Sequence, residues 1–371
     1  MSRRLLYITN GITGPGGLER TLAVRTRLLS ERYGYDIHLL TLGEDGKTPF
    51  YDFPESIRLH NLPWEGSPTA RLRGWAQGIA DVARRVRPDL MAVCDDGFKG
   101  FFVPWLLRSC GGPIIYERHV SRLIQAGGKP PTLARRAQFA AMRALGSRFD
   151  RFIVLTPANI GEWPMNNVEV IPNPIPFYPP VPSEGTQKRV IAVGKISPQK
   201  NYGALLDAWK TVHAHFPDWS LDLFGAENDG GELRRAVAAA SLEPSFRLHP
   251  PTRAIMDEYL SSSICAMSSH YEGFGMMLVE AMACGVPCAA FDCPCGPGDI
   301  IRHGEDGLLV PAGDVSGLAA ALMRLMGDDA LRASMAAAAR RNIQRYAAET
   351  VVARWDALFG SLCGEGKGGK L

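Results

Sequence analysis

The chain has 371 residues, is 46% hydrophobic and 21% charged, and carries a formal net charge of +3. This length exceeds what one core usually organises, so two domains are expected, and no apolar run approaches the roughly 18 residues a membrane-spanning helix needs. The start MSRRLLYITN runs straight into a strand pattern without a cleavable signal, so a cytoplasmic protein is expected.

The first half alternates short apolar runs with helical patterns, the signature of a parallel sheet with crossover helices. Strands are predicted at Leu5 to Thr9, Ile37 to Leu42, Leu90 to Cys94, Ile114 to Glu117, Phe152 to Leu155 and Val168 to Ile171. The first runs into NGITGPGGLER, where Gly14, Gly16 and Gly17 let backbone N–H groups approach a ligand before a helix opens. The spacing is not GxGxxG, so a nicotinamide site is not indicated. CDDGFKG places Asp95, Asp96 and Lys99 beyond a strand end, where they either bind hydroxyls of an acceptor or form a capped turn. PIIYERH closes another strand with Glu117, Arg118 and His119.

Charge is uneven. Residues 1 to 175 hold 23 Lys and Arg against 16 Asp and Glu, the remainder 18 against 22. Between Ser121 and Arg151 lie seven basic residues, among them Lys129, Arg136 and Arg143, against the single acid Asp150, with Phe139, Met142 and Leu145 at helical spacing. Two readings stand side by side: an amphipathic face for an anionic membrane surface, or a solvated basic helix covering its own domain. No recognition motif or stacking cluster accompanies the charge, so nucleic acid is not an expected partner.

From residue 172 the run IPNPIPFYPPVPSEG excludes helix and central strand and reads as a linker. A second alternating unit follows, with strands at Arg189 to Val193, Leu221 to Phe224, Ile264 to Met267, Cys288 to Phe291 and Leu308 to Val310, and helices from Val315 onward. GKISPQKN sends Lys195 and Lys200 off the carboxyl end of the first of these strands, two cations able to neutralise a diphosphate. A helix near Thr350 to Leu362 carries Trp355, and the tail GEGKGGKL is expected to be disordered. The eight cysteines sit largely in apolar runs and read as reduced core thiols; Cys293 and Cys295 form a CPC without a second ligand pair, so no metal is expected.

SSHYEGFGMMLVEAMACGVP is the most informative stretch. Glu272 precedes a Gly-Phe-Gly turn, a helix of strong formers begins at Met276, and Gly285 with Pro287 ends it. The first turn of such a helix favours an anion, and a carboxylate on either side can accept from sugar hydroxyls. The segment resembles the Glu-x7-Glu signature of retaining glycosyltransferases of family four, the glycogen-synthase-like group. IPNPI and the run from Asp292 to Asp314 extend the resemblance over nearly all of the second half; in the first half only short loops match.

The resemblance implies the GT-B architecture: two doubly wound parallel-sheet domains facing a cleft, an acceptor-binding domain over 1–172, a linker over 173–187, a nucleotide-sugar domain over 188–345, a helix over 346–363 packing back on the first domain, and a tail over 364–371. It implies that Glu272 holds the donor sugar, Phe274, Gly275 and Met276 offer amides to the diphosphate, and Glu280 holds the ribose. Lys195 and Lys200 would stabilise the leaving group, with Gly194 beside them; Lys195 stands where the family usually has arginine, keeping charge but losing the planar fork. Gly16 and Gly17 match the family's GG(x)E loop at the donor phosphate, and His119 its EH element at the reacting sugar carbon. Asp299 stands where the family usually has Glu. The implied reaction is retaining transfer of a hexose or N-acetylhexosamine from a nucleoside diphosphate sugar, UDP favoured, to a glycan or lipid-diphosphate-linked acceptor in cell-surface polysaccharide synthesis, without a metal, in a cytoplasmic protein that either stays soluble or sits peripherally on the inner membrane face. A sugar-nucleotide epimerase and a silent nucleotide-sugar-binding subunit are the alternatives.

Overall fold

The computed structural model describes residues 2–126 and 132–365; Lys129 of the basic segment and the tail from residue 366 lie outside the described residues. The chain divides into two compact units: Met1–Val120 with Pro131–Pro174 and Ala348–Leu371, and Ser121–Pro130 with Ile175–Ala347.

Unit 1 is built on β1 (Arg4–Thr9), β2 (Asp36–Leu42), β3 (Arg58–Leu62), β4 (Leu90–Cys94), β5 (Ile114–Glu117), β6 (Arg151–Val154) and β7 (Val168–Val170). They form one parallel sheet in the order β3-β2-β1-β4-β5-β6-β7. Alternation of side chains sends β1 into two cores. Leu6 and Ile8 pack with Trp75, Ile79, Phe139 and Trp163 on one face, while Leu5 and Tyr7 pack with Leu22, Leu29 and Ile37 on the other. The helix Ala348–Glu365 closes that second face with Val351, Trp355 and Phe359.

Unit 2 carries β8 (Arg189–Val193), β9 (Ser220–Phe224), β10 (Phe246–His249), β11 (Ile264–Met267), β12 (Cys288–Asp292) and β13 (Gly307–Pro311) in the order β10-β9-β8-β11-β12-β13, again parallel throughout. Its core gathers Trp209, Leu223, Phe246, Phe291 and Leu322. Proline-rich residues 171–188 form neither helix nor strand. All eight cysteines are free thiols, six of them buried. Among the described residues no helix is long and apolar enough to cross a membrane.

Two strands have no counterpart in the sequence reading, β3 and β10. Both are edge strands, and RLHNL and FRLH expose polar residues on one side, so neither offers the continuous apolar run of a central strand. β3 is tied to β2 by a hydrogen-bonded pair of nearly coplanar imidazoles, His38 Nδ1 lying 2.8 Å from His60 Nε2. Burial lowers both imidazoles below the ordinary value; Arg58 adds to this at both and Arg85 at His60, while Asp36 opposes it at His38. The folded state therefore disfavours protonation, so this stabilisation is complete above the unfolded value of about 6.5 and is lost as pH falls from there through the lower folded values. Amide exchange in β3, corrected for intrinsic rate, is expected to be faster at pH 5.5 than at pH 7.5. A His60→Phe variant, which keeps only His38, should show a smaller dependence; an undiminished pH response in it would contradict the assignment.

Strand order reverses between β1 and β4 in unit 1 and between β8 and β11 in unit 2. Ligands of doubly wound sheets bind outside the carboxyl ends of the strands at such switch points. The segments that leave β1, β4, β8 and β11 carry the glycine loop, CDDGFKG, GKISPQKN and EGFG respectively.

Candidate functional site

In unit 2 the two segments at the switch point are joined by one ion pair. Lys200, just ahead of the helix Tyr202–His215, turns back so that its Nζ lies 2.7 Å from Glu272 Oε1. Ser269 Oγ donates to the same oxygen at 2.6 Å, and Ser268 Oγ donates to the Lys200 carbonyl at 2.9 Å, fixing the turn that presents the lysine. Glu272 is 5% exposed, yet its Oε2 takes no hydrogen bond among the described residues. A charged, oriented carboxylate with one oxygen open is suited to accept from hydroxyls.

The turn after Glu272 is held open for the backbone. Gly275, at φ +103°, sits at the N-cap of the helix Met276–Ala283, where the dipole favours an anion. A Cβ on Gly296 would lie 2.0 Å from the Phe274 carbonyl oxygen, so the segment after β12 can pack directly against the turn only as glycine. The Glu272 N–H donates to Pro294 O at 3.1 Å in the same contact, and the Phe274 ring stands edge-on to Tyr346. Burial, reinforced by the Glu272 charge, pushes the nearby Cys293 thiol well up, so it stays protonated. Glu280, one turn into the helix, is 4% exposed and its Oε2 accepts from Tyr259 at 3.1 Å.

Gly194 directly follows β8, donating to Phe224 O and accepting from the Tyr202 hydroxyl. Lys195 is exposed; with the Asn228 amide turned so that its nitrogen donates to Glu227 O, the amide oxygen accepts from Lys195 Nζ at 3.1 Å. Lys195 has no carboxylate partner among the described residues. Lys200 thus balances Glu272, while the Lys195 charge is not balanced by an ion pair among the described residues.

Unit 1 repeats the device across its own switch point. Asn10, after β1, donates from Nδ2 to Asp95 Oδ1 at 3.0 Å. Asp95 also accepts from Gly97 N–H and pairs with Lys99 through Oδ2, and the ammonium stands over the Trp64 and Trp75 rings. Asp95 is thereby turned inward, and Asp96, its side chain 28% exposed, is the more open of the two. The glycine loop is wrapped by two acids. Glu44 accepts from Ile12 N–H, Thr13 N–H and the Thr13 hydroxyl. The Glu19 carboxylate lies so close that a Cβ on Gly16 would be 2.4 Å from it, and burial, together with the charges of Glu44 and Asp96, raises its pKa. Gly17 opens the helix Gly17–Glu31 with Gly16 at its N-cap.

His119 follows β5. Its N–H donates to Asp96 Oδ1 at 3.1 Å, its Nε2 lies 3.0 Å from Glu117 Oε2, and its imidazole is 5% exposed. Glu117 is fully buried between His119 and Arg25, whose Nη2 is 2.9 Å from Oε1 and 2.8 Å from Oε2. Burial alone would raise Glu117; the Arg25 guanidinium and the His119 hydrogen bond hold it below the usual carboxylate range. An ionised carboxylate only accepts, so the shared proton sits on Nε2, and in the neutral imidazole Nδ1 is then the acceptor. Nδ1 is buried with no partner among the described residues. The sulfur of Cys94 lies within 4.8 Å of the ligand atoms of Glu117 and His119, and the Glu117 charge is already balanced by Arg25.

Sequence reasoning names Glu272, Lys200 and His119 but not the groups that orient them. Ser269 on Glu272, Asn10 on Asp95, Glu44 on the glycine loop and Tyr259 on Glu280 act through spacings no motif advertises, whereas Glu19 is the acid of the GG(x)E loop itself. Arg25 does leave a trace, since it lies on the apolar face of the Gly17–Glu31 helix beside Leu22 and Leu29, where a charge needs a buried partner.

Residues 178–342 match the model of the family described as glycosyl transferases group 1, and residues 16–174 match that described as glycosyl transferase 4-like domain. The chain is 30% identical to the amylovoran biosynthesis glycosyltransferase AmsD of Erwinia amylovora, over 95% of this chain and 98% of that protein. It is 34% identical to an exopolysaccharide phosphotransferase of Streptomyces coelicolor over 67% of this chain, a match that spans only 26% of that larger protein. The fold is shared with Anabaena HepE, solved in complex with UDP and glucose, at a TM-score of 0.78 and 19% identity over 96% of this chain and 99% of that one. The two parallel-sheet α/β domains, the paired family matches and the full-length relative together make this chain a member of the group 1 glycosyltransferases, enzymes of the GT-B fold.

Proposed function

We propose that this enzyme transfers a hexose or N-acetylhexosamine, with retention, from a UDP-sugar to a glycan acceptor in cell-surface polysaccharide synthesis. The observation that carries the reading is the half-occupied Glu272 carboxylate: one oxygen held by Lys200 and Ser269, the other open. The open oxygen accepts from donor-sugar hydroxyls. The amides around Gly275 and the start of the Met276–Ala283 helix take the diphosphate, with Phe274 and Met276 framing the turn, and Glu280 takes the ribose. Lys195 meets the leaving group, beside Gly194, as the cation no carboxylate has claimed. UDP is favoured by the ligands of HepE, and the polysaccharide setting by the name of AmsD.

Of the unit 1 residues, we assign His119 to the donor sugar through the Nδ1 acceptor, Gly16 and Gly17 to the donor phosphate, and Asp96 to acceptor hydroxyls, with Asp95 and Lys99 holding its loop. In this reading the acceptor attacks the donor-sugar carbon from the face the diphosphate leaves, the leaving phosphate oxygen takes the acceptor proton, and electrostatic stabilisation of the diphosphate carries most of the barrier reduction. A single preorganised donor of that kind contributes about 3 kcal/mol.

Glu272→Gln is expected to bind UDP nearly as the native enzyme does and to turn over at least tenfold more slowly, because the amide keeps the shape but loses the charge that orients sugar and lysine. Calorimetric UDP affinity and initial rates separate the two effects. Native turnover in this variant would remove Glu272 from the role.

A further inference from the structure

The segment that follows Asp95 and Asp96 does more than hold them. Immediately after these residues the chain forms a short 3-10 turn at Lys99–Phe102 and a helical turn at Val103–Leu106. Phe101, Val103 and Leu107 point into unit 1 and join a core with Phe139 and Met142 from the helix Leu133–Gly146. Because both segments anchor in one core, their outer faces lie on the same side of unit 1. Those faces are unusual. Phe98, Phe102 and Trp105 are exposed, Trp105 by 62%, with the Phe98 and Phe102 rings edge to face at 5.3 Å. Arg108 lies beside them in sequence, and Arg136 and Arg143 face solvent on the neighbouring helix, which opens with Leu133 at 83% exposed. None of these three arginines has an acidic partner among the described residues.

Single exposed apolar residues need no explanation, but adjacent aromatics fringed by unpaired cations do. A soluble glycan would use the aromatic rings for stacking and leave the arginines idle. A protein partner would need a larger apolar area. An anionic bilayer uses both: aromatic rings settle at headgroup level while arginines meet phosphates. We propose that this face of unit 1 docks on anionic phospholipid, placing the Asp95–Asp96 loop at the membrane surface. The proposal rests on the transferase reading only for its purpose, which is to bring a lipid-diphosphate-linked acceptor to that loop; the docking itself requires no catalysis.

The test is co-sedimentation of the full chain with vesicles of phosphatidylcholine alone and of phosphatidylcholine with 30 mol% phosphatidylglycerol, at low and moderate salt. Binding is expected to the anionic vesicles only, weakened at least tenfold both by Phe102→Ser with Trp105→Ser and by Arg136→Glu with Arg143→Glu, with circular dichroism and thermal midpoint unchanged. Salt should weaken the native protein more than the arginine variant. UDP release with a water-soluble acceptor should be the same in all variants, and a failure of that release in the native enzyme would touch the transferase reading, not the docking. Equal binding to neutral vesicles, insensitivity to both variants, or aromatic variants that instead lose affinity for a soluble glycan would overturn the proposal.

Discussion

A Lys200→Met enzyme is expected to lose about a thousandfold in kcat/KM for its donor, because the substitution breaks the buried ion pair with Glu272. Lys200 and Glu272 are 17% and 6% exposed at their side chains, so the pair is largely desolvated. Removing one partner of such a pair costs about 3–5 kcal/mol because the other is left charged and uncompensated. Part of that cost is relieved when Glu272 takes a proton or rotates toward Ser269, and either change withdraws the carboxylate from the donor sugar. Lys200→Arg should recover part of the activity by restoring charge without the same reach. Initial rates at saturating and limiting donor check this, and a Lys200→Met enzyme within tenfold of native kcat/KM would show that the pair is structural only.

Arg25→Met is expected to be the second large effect, and its signature is in the pH dependence. Arg25 is sealed between Glu117, the Tyr7 ring and the Trp355 ring, whose centroid is 4.2 Å from the guanidinium carbon. In the native protein Glu117 is held below its ordinary value, so its contribution to stability is present above the unfolded value and is lost as pH falls through the folded one. Without Arg25, burial dominates and the folded value rises above the unfolded one. The sign then reverses: the variant should be destabilised by about 3 kcal/mol near neutral pH, and less so near pH 5. Urea midpoints at pH 5 and pH 7.5 read this directly. The same substitution frees the proton that Glu117 fixes on His119 Nε2, so nitrogen-15 shifts of His119 should move from the single Nε2–H tautomer toward a mixture. A parallel loss of stability at both pH values with an unchanged tautomer would contradict the relay.

The two cases show where sequence is informative. Glu272, Gly275 and Glu280 stand in one contiguous stretch, because a strand end, a tight turn and a helix start must follow one another to make an anion site. The central strands were equally legible, since burial on both faces writes long apolar runs into β1, β4 and β8. The edge strands β3 and β10 were not, because half of each faces polar surroundings. Nor was the Arg25–Glu117–His119 chain: its members are separated by 92 residues and then by two, and only the parallel register of β1, β4 and β5 brings the Gly17–Glu31 helix over the end of β5. CDDGFKG was read as either acceptor site or capped turn. In the folded loop Asp95 and Lys99 pair inward, as a capped turn would, and Asp96 is the more open of the two acids.

The transferase account is tested most directly by nucleoside diphosphate release from a panel of UDP, GDP, ADP and dTDP sugars, each with and without a lipid-diphosphate-linked sugar acceptor. The account predicts acceptor-dependent release from one donor, a UDP-sugar, with the anomeric configuration of the donor kept in the product. Tight nucleotide binding with no acceptor-dependent release from any donor, or a product of inverted configuration, would contradict it.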